Sequence, residues 1–158
     1  MPAREGSFEV SSRLGAPAAE VWAFATTAAG VNAELMPLVR MTVPRGLGGD
    51  FGIADVDAPR RLGRSWLLLG GLIPFDYDDI RIERVGPGFA FDERSTMLSQ
   101  RFWHHERRVE PLGDDACTVT DAIRFVPRVP ALAPLLRPVF RWTFHHRHRG
   151  LRRRYGMV

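Results

Sequence analysis

Residues 7–14 alternate apolar and polar side chains, the period of two that marks a half-buried strand. After Gly15-Ala16-Pro17 the period lengthens. Val21, Trp22 and Ala25 recur at helical spacing across residues 18–26, with Glu20 in the first turn, where the helix dipole favours an acid. Gly30 is expected to break this helix. Residues 31–36 should add about one further turn before Pro37, which disfavours helix at Met36. Alternation then returns in short runs at 38–43, 50–54, 65–69, 75–85, 89–98, 102–111 and 117–126. They are separated by glycine-, proline- and aspartate-rich pieces such as Gly46-Leu47-Gly48-Gly49, Gly86-Pro87-Gly88 and Leu112-Gly113-Asp114-Asp115, the residues tight connections require. From Ala131 onward Leu132, Leu135, Leu136, Val139, Phe140, Thr143, Phe144, Arg147 and Leu151 recur at threes and fours, predicting a long helix. Pro134 suits its first turn; Pro138 should kink it or mark its true start.

The predicted order is one strand, two short helices, a meandering antiparallel sheet and a long C-terminal helix. A sheet with one apolar face must cover it, and the last helix is the one large element available, so the sheet should curve around it. The expected class is α+β, with a curved antiparallel sheet of about seven strands and a single domain over residues 1–158.

Composition narrows this picture. At 158 residues, 45% hydrophobic and 25% charged, with no apolar run near the ~18 residues of a membrane span, the chain reads as one globular domain. That length needs no disulfide or metal to hold a core. Cys117 is the single cysteine, which rules out an intramolecular disulfide and a multi-cysteine zinc site. The opening Met1-Pro2-Ala3-Arg4-Glu5-Gly6 has no apolar stretch of the kind a secretory leader carries, so a cytoplasmic location is expected. All 22 basic residues are arginine. Residues 1–121 hold 13 of them against all 18 acids, a balance of −5, while residues 122–158 carry nine and no acid, +9.

Several blocks sharpen the architecture: Phe91-Asp92-Glu93-Arg94-Ser95, Trp103-His104-His105-Glu106-Arg107, Val119-Thr120-Asp121, and the longer stretches 32–41 and 140–148. Together with the element order, they resemble bacterial members of the START/Bet v-like superfamily, also called SRPBCC, including ligand-binding and polyketide cyclase/dehydrase-like proteins. The resemblance covers nearly the whole chain and implies a helix-grip fold. It also implies a cavity for a hydrophobic or amphipathic small molecule, lipid or polyketide-like, between sheet and helix. It does not by itself imply a reaction. The superfamily's ring-hydroxylating oxygenase branch needs a cysteine-bound cluster that Cys117 alone cannot supply; no cofactor is expected.

Strand parity assigns faces. Cys117, Val119, Ile123 and Phe125 are apolar and should face inward, carrying Asp121 with them. Phe89, Phe91, Ser95 and Met97 likewise carry Glu93 inward. Trp103 and Val109 suggest that His105 and Arg107 share the inner face, the opposite parity offering Phe102 and His104 instead. Buried carboxylates demand partners, so Glu93 and Asp121 should meet Arg107 and His105, with Arg147 a further candidate. Two readings follow: a self-neutralising network that fixes register, or the polar end of a ligand cavity. If the chain is an enzyme of the cyclase or dehydratase type, His105 is the natural proton shuttle, Glu93 or Asp121 orients it, and an arginine holds an enolate. The expected ligand-binding set adds Trp103, Ser95 and Phe91 from the sheet to Arg107. The last helix contributes Phe140, Phe144 and Arg147, and the glycine-hinged connection Gly70-Gly71-Leu72-Ile73-Pro74-Phe75 contributes Phe75 at a mouth beside Pro37 and Leu38.

Other chemistries are weaker. His145 and His148 share a helical face, but neighbouring arginines repel a cation and no carboxylate follows Asp121, so no metal site is expected. The basic C-terminus fits no nucleic-acid module. Its arginines beside Leu151, Tyr155 and Met157 would suit transient contact with an anionic membrane surface. The chain is expected to act as a monomer or homodimer, and a module with a filled interior that only binds other proteins is the third alternative.

Overall fold

In the computed structural model, which describes residues 5–158, seven strands form one antiparallel sheet. Residues 1–4, part of the opening stretch read above for a secretory leader, lie outside the described residues. The strands are β1 (Gly6–Leu14), β2 (Val39–Met41), β3 (Arg60–Leu69), β4 (Ile73–Val85), β5 (Phe89–Met97), β6 (Gln100–Pro111) and β7 (Cys117–Pro127). Helices α1 (Ala18–Ala25) and α2 (Ala28–Leu35) follow β1, and α3 (Ala133–Tyr155) closes the chain. The spatial order is β1-β7-β6-β5-β4-β3-β2, a hairpin meander whose last strand pairs back onto the first. This is the helix-grip architecture expected from the sequence.

The strict alternation of β1, buried at every second residue, is the physical reason its register on β7 is unambiguous: a one-residue slip would turn Phe8 and Val10 to solvent. Those residues join Trp103, Ile123, Phe125 and Phe144 in one core cluster. A second holds Leu14, Val21, Trp22, Val119 and Leu151 where α1 meets the C-terminal half of α3.

Local differences from the expectations have local causes. Gly30 does not end a helix but lies inside α2, where only glycine fits: a Cβ there would sit 1.9 Å from the Phe24 carbonyl oxygen. The break falls at Thr26 and Thr27; the Thr27 hydroxyl donates to the Phe24 carbonyl and accepts from the Gly30 N–H. Residues 50–54 form no strand. Ile53 N–H bonds to the Thr26 carbonyl, and a single 3-10 turn (Ile53–Asp55) ties the segment to the α1–α2 junction rather than to the sheet. In the expected mouth loop, Gly70 and Gly71 turn with positive φ, but Ile73, Pro74 and Phe75 already belong to β4. Pro138 lies within α3, which starts upstream at Ala133.

Candidate functional site

α3 packs along β1 and α2 and makes at most slight contact with β3, β4 and β5. The gap this leaves is a cavity of about 390 Å³ between the sheet's concave face and the helix. Its walls are mainly apolar: Val31 and Leu35 of α2, Leu67 of β3, Trp103 of β6, and Phe140 and Phe144 of α3. Of the lining residues, Leu69 and Phe75 on the β3–β4 hairpin and Val139 and Trp142 on α3 are exposed, which locates the mouth between those two elements. Leu72, at the hairpin tip, is 83% exposed.

One part of the wall is acidic. Asp76 and Asp78 of β4 and Glu93 of β5 line the cavity and are all buried, with His105 of β6 beside them. Asp76 and Asp78 face inward because Ile82 must, and every second residue before it on β4 shares that face. Asp76 accepts from the Tyr77 N–H (2.8 Å), the Ser99 N–H (3.2 Å) and the Ser99 hydroxyl. Glu93 accepts from the Ser95 hydroxyl at 2.7 Å. Asp78 is 4% exposed, and its Oδ1 has no hydrogen-bond partner among the described residues. Burial, and then the negative charge of Glu93, push the Asp78 carboxyl well above the usual range.

Beside this wall lies a second polar cluster of the opposite character. Arg107 reaches Asp121 through Nε and Nη2, both at 2.7 Å, and Glu34 through Nη1 and Nη2 at 3.0 and 2.8 Å. Arg147 Nε donates to Glu34 at 3.2 Å. Burial alone would raise the Asp121 carboxyl, but the Arg107 guanidinium outweighs it and holds that carboxyl well below the usual range. An ionised Asp121 only accepts, so His105 Nε2 and His148 Nε2, each 2.7 Å away, must both donate to it. His148 Nδ1 then accepts from the Ser12 hydroxyl at 2.8 Å, and that oxygen accepts from Arg152. His105 is wedged edge-on between Phe91 and Phe144, its Nδ1 turned toward Glu93 Oε1 at 3.9 Å.

Of the residues singled out from the sequence, His105, Glu93, Phe91, Trp103, Phe75, Phe140, Phe144 and Arg147 line the cavity. Asp121, Arg107 and Ser95 do not. Arg107 and Asp121 are sealed in the second cluster, and Ser95 is turned to Glu93 and the Arg81 N–H. Glu93 does not meet Arg107; Glu34 takes that place. Of the residues suggested for membrane contact, Leu151 is buried in the core and Arg154 stacks 3.8 Å over Phe24, while Met157 is exposed beside its backbone bridge to Leu14. Sequence reasoning missed Asp76, Asp78 and Glu34. The first two were findable from the parity of Ile80 and Ile82.

No helix of the described residues is long and apolar enough to cross a membrane. A family model described as Domain of unknown function (DUF8410) matches residues 12–155. No curated protein matches the sequence. Among solved structures, a START superfamily protein from Mycobacterium smegmatis superposes with a TM-score of 0.68 at 10% identity, covering 94% of this chain and 96% of that one. The Zhui aromatase/cyclase from Streptomyces sp. R1128 gives 0.64 at 17% identity, covering 98% and 99%. Truncated norcoclaurine synthase from Thalictrum flavum gives 0.65 at 11% identity, covering 96% and 93%. These likenesses show a common fold, that of the START/Bet v-like superfamily.

Proposed function

Since the chain belongs to the DUF8410 family and has the START/Bet v-like fold, we propose that it binds an apolar or amphipathic small molecule in the cavity under α3. The observation that carries this reading is the cavity itself. At about 390 Å³ it falls within the roughly 300–1,000 Å³ of small-molecule sites. It opens through a rim of exposed apolar residues, and its few polar groups gather on one wall. Apolar walls supply affinity by burying ligand surface, at about 25 cal/mol per Å², and the polar wall supplies orientation. Native mass spectrometry of freshly purified protein, followed by organic extraction, tests it together with titration of an apolar fluorescent dye. A retained mass or saturable dye uptake is expected. An empty protein that takes up no dye removes the reading.

A second reading, a cyclase or dehydratase of polyketide-like substrates, is favoured by one feature, the orientation of His105. With Nε2–H donated to Asp121, Nδ1 is the free base position and lies at the acidic wall. In a dehydration it would take the proton from the carbon beside a carbonyl while the Asp78 carboxyl protonates the departing hydroxyl, so that water leaves and a double bond forms. His105→Ala would then lower turnover of a β-hydroxyketone by about a hundredfold or more. Unchanged turnover removes the mechanism and leaves binding.

A further inference from the structure

The two polar clusters differ in charge balance, and the difference has a chemical meaning. In the sealed cluster, Glu34 and Asp121 are answered by Arg107 and Arg147. Among the described residues Arg147 is the one arginine lining the cavity, and its charge is thus already matched. Among the described residues no arginine pairs with Asp76, Asp78 or Glu93, and the nearest approach of a basic group is His105 Nδ1, 3.9 Å from Glu93 Oε1 and beyond hydrogen-bond reach. Even with one proton held between Asp78 and Glu93, the wall remains anionic inside an apolar chamber, a situation proteins resolve by pairing or by neutralisation. The Asp78 Oδ1 is buried, without a partner, and belongs to the cavity wall. The wall therefore lacks a positive charge and hydrogen-bond donors.

We propose that this acidic wall is a cation site that receives the protonated nitrogen of a primary or secondary amine whose apolar body fills the rest of the cavity. An ammonium brings both missing things at once: its charge offsets the carboxylates, and its N–H groups reach the open oxygen of Asp78 and the remaining lone pairs of Glu93. A metal ion is the poorer occupant, because no group of three His, Cys, Asp or Glu among the described residues is arranged to hold one. An anionic ligand is disfavoured by the same charges that attract the amine. This deepens the binding reading and rests on it.

Matched ten-carbon probes separate the two. Decylamine, 1-decanol and decanoate share a tail and differ at one end, and each can be titrated calorimetrically into the wild-type protein near pH 7.5, below its aggregation limit. Decylamine is expected to bind at least tenfold more tightly than decanol, with decanoate weakest, the fold-change a charge-assisted hydrogen bond provides. Asp78→Asn together with Glu93→Gln should erase the preference while decanol still binds; Asp78→Asn alone should narrow it. Decanol or decanoate equal to the amine in the wild type overturns the cation site and leaves the cavity reading standing, as does an amine preference that survives the double substitution. Failure of all three probes overturns both.

Discussion

Two groups of buried carboxylates lie side by side between the same sheet and helix, and they are held in opposite ways. Around Arg107 every acid has a counter-charge, and every polar atom of Asp121 is used: its two oxygens accept from two guanidinium nitrogens and two imidazoles. On the β4–β5 wall three acids share two serine hydroxyls and two backbone amides, and one oxygen stands open. The first arrangement is closed and self-sufficient, which suits a device that joins α2, α3, β6 and β7. The second is incomplete in the protein alone, as the proposed amine site requires. Burial of charge is common to both, so burial alone does not mark a site; the unmatched remainder does.

The sharpest way to break this contrast is to remove the cation of the closed cluster. Arg107→Met leaves Glu34 with Arg147 alone and Asp121 with two imidazoles, inside a region sealed from water. Breaking one side of such a buried pair costs about 3–5 kcal/mol, so urea unfolding should show a loss of that order and the melting temperature should fall by on the order of 10 °C. A variant as stable as the wild type would mean that the cluster does not hold the fold together, and the division into structural and functional acids would fail with it.

Asp78 is expected to behave with the opposite sign. Its carboxyl is raised in the folded protein, so the folded state holds a proton that the unfolded chain releases near pH 3.9. Stability is therefore lost as pH rises from there toward the folded value, and the whole penalty is present above it. Asp78→Asn removes that penalty, and a gain of about 1–3 kcal/mol is expected at pH 8, shrinking toward pH 4, in paired denaturation curves. Asp121 runs the other way. Its carboxyl is depressed, so its contribution is present above the unfolded value and is lost as acid titrates the folded form. An Asp78→Asn variant that is destabilised at pH 8 would show that this carboxylate is already matched in the protein alone, and the wall would then join the closed cluster.

The strands and the long helix were legible because alternation and the three-four spacing act locally, and the parity of β5, β6 and β7 placed Glu93, His105, Arg107 and Asp121 on the inner face. What stayed hidden was pairing at a distance. Glu34 meets Arg107 and Arg147 across 73 and 113 residues, because α2 crosses α3 closely at Gly150, and no local period encodes that crossing. Asp76 and Asp78 were obscured by their aromatic neighbours Phe75 and Tyr77, which suggest the opposite parity for the apolar face. Tyr77 instead packs edge-on against Trp66 on the outer face.

The smallest expected effect tests how complete the closed cluster is. Ser12 sits on β1, where its hydroxyl donates to His148 Nδ1 and accepts from Arg152, so that one small side chain ties the edge of the sheet to the far turn of α3. Ser12→Ala leaves a buried imidazole nitrogen without a partner, while Arg152 can turn its guanidinium to water, so a cost of about 1 kcal/mol is expected. Ser12→Thr keeps the hydroxyl and should recover most of the loss if the added methyl fits. The measurement is urea unfolding of the three proteins at one pH. An alanine variant within a few tenths of the wild type would mean that the imidazole finds water there. The cluster would then be open to solvent, like the acidic wall, and its closure could no longer distinguish the two.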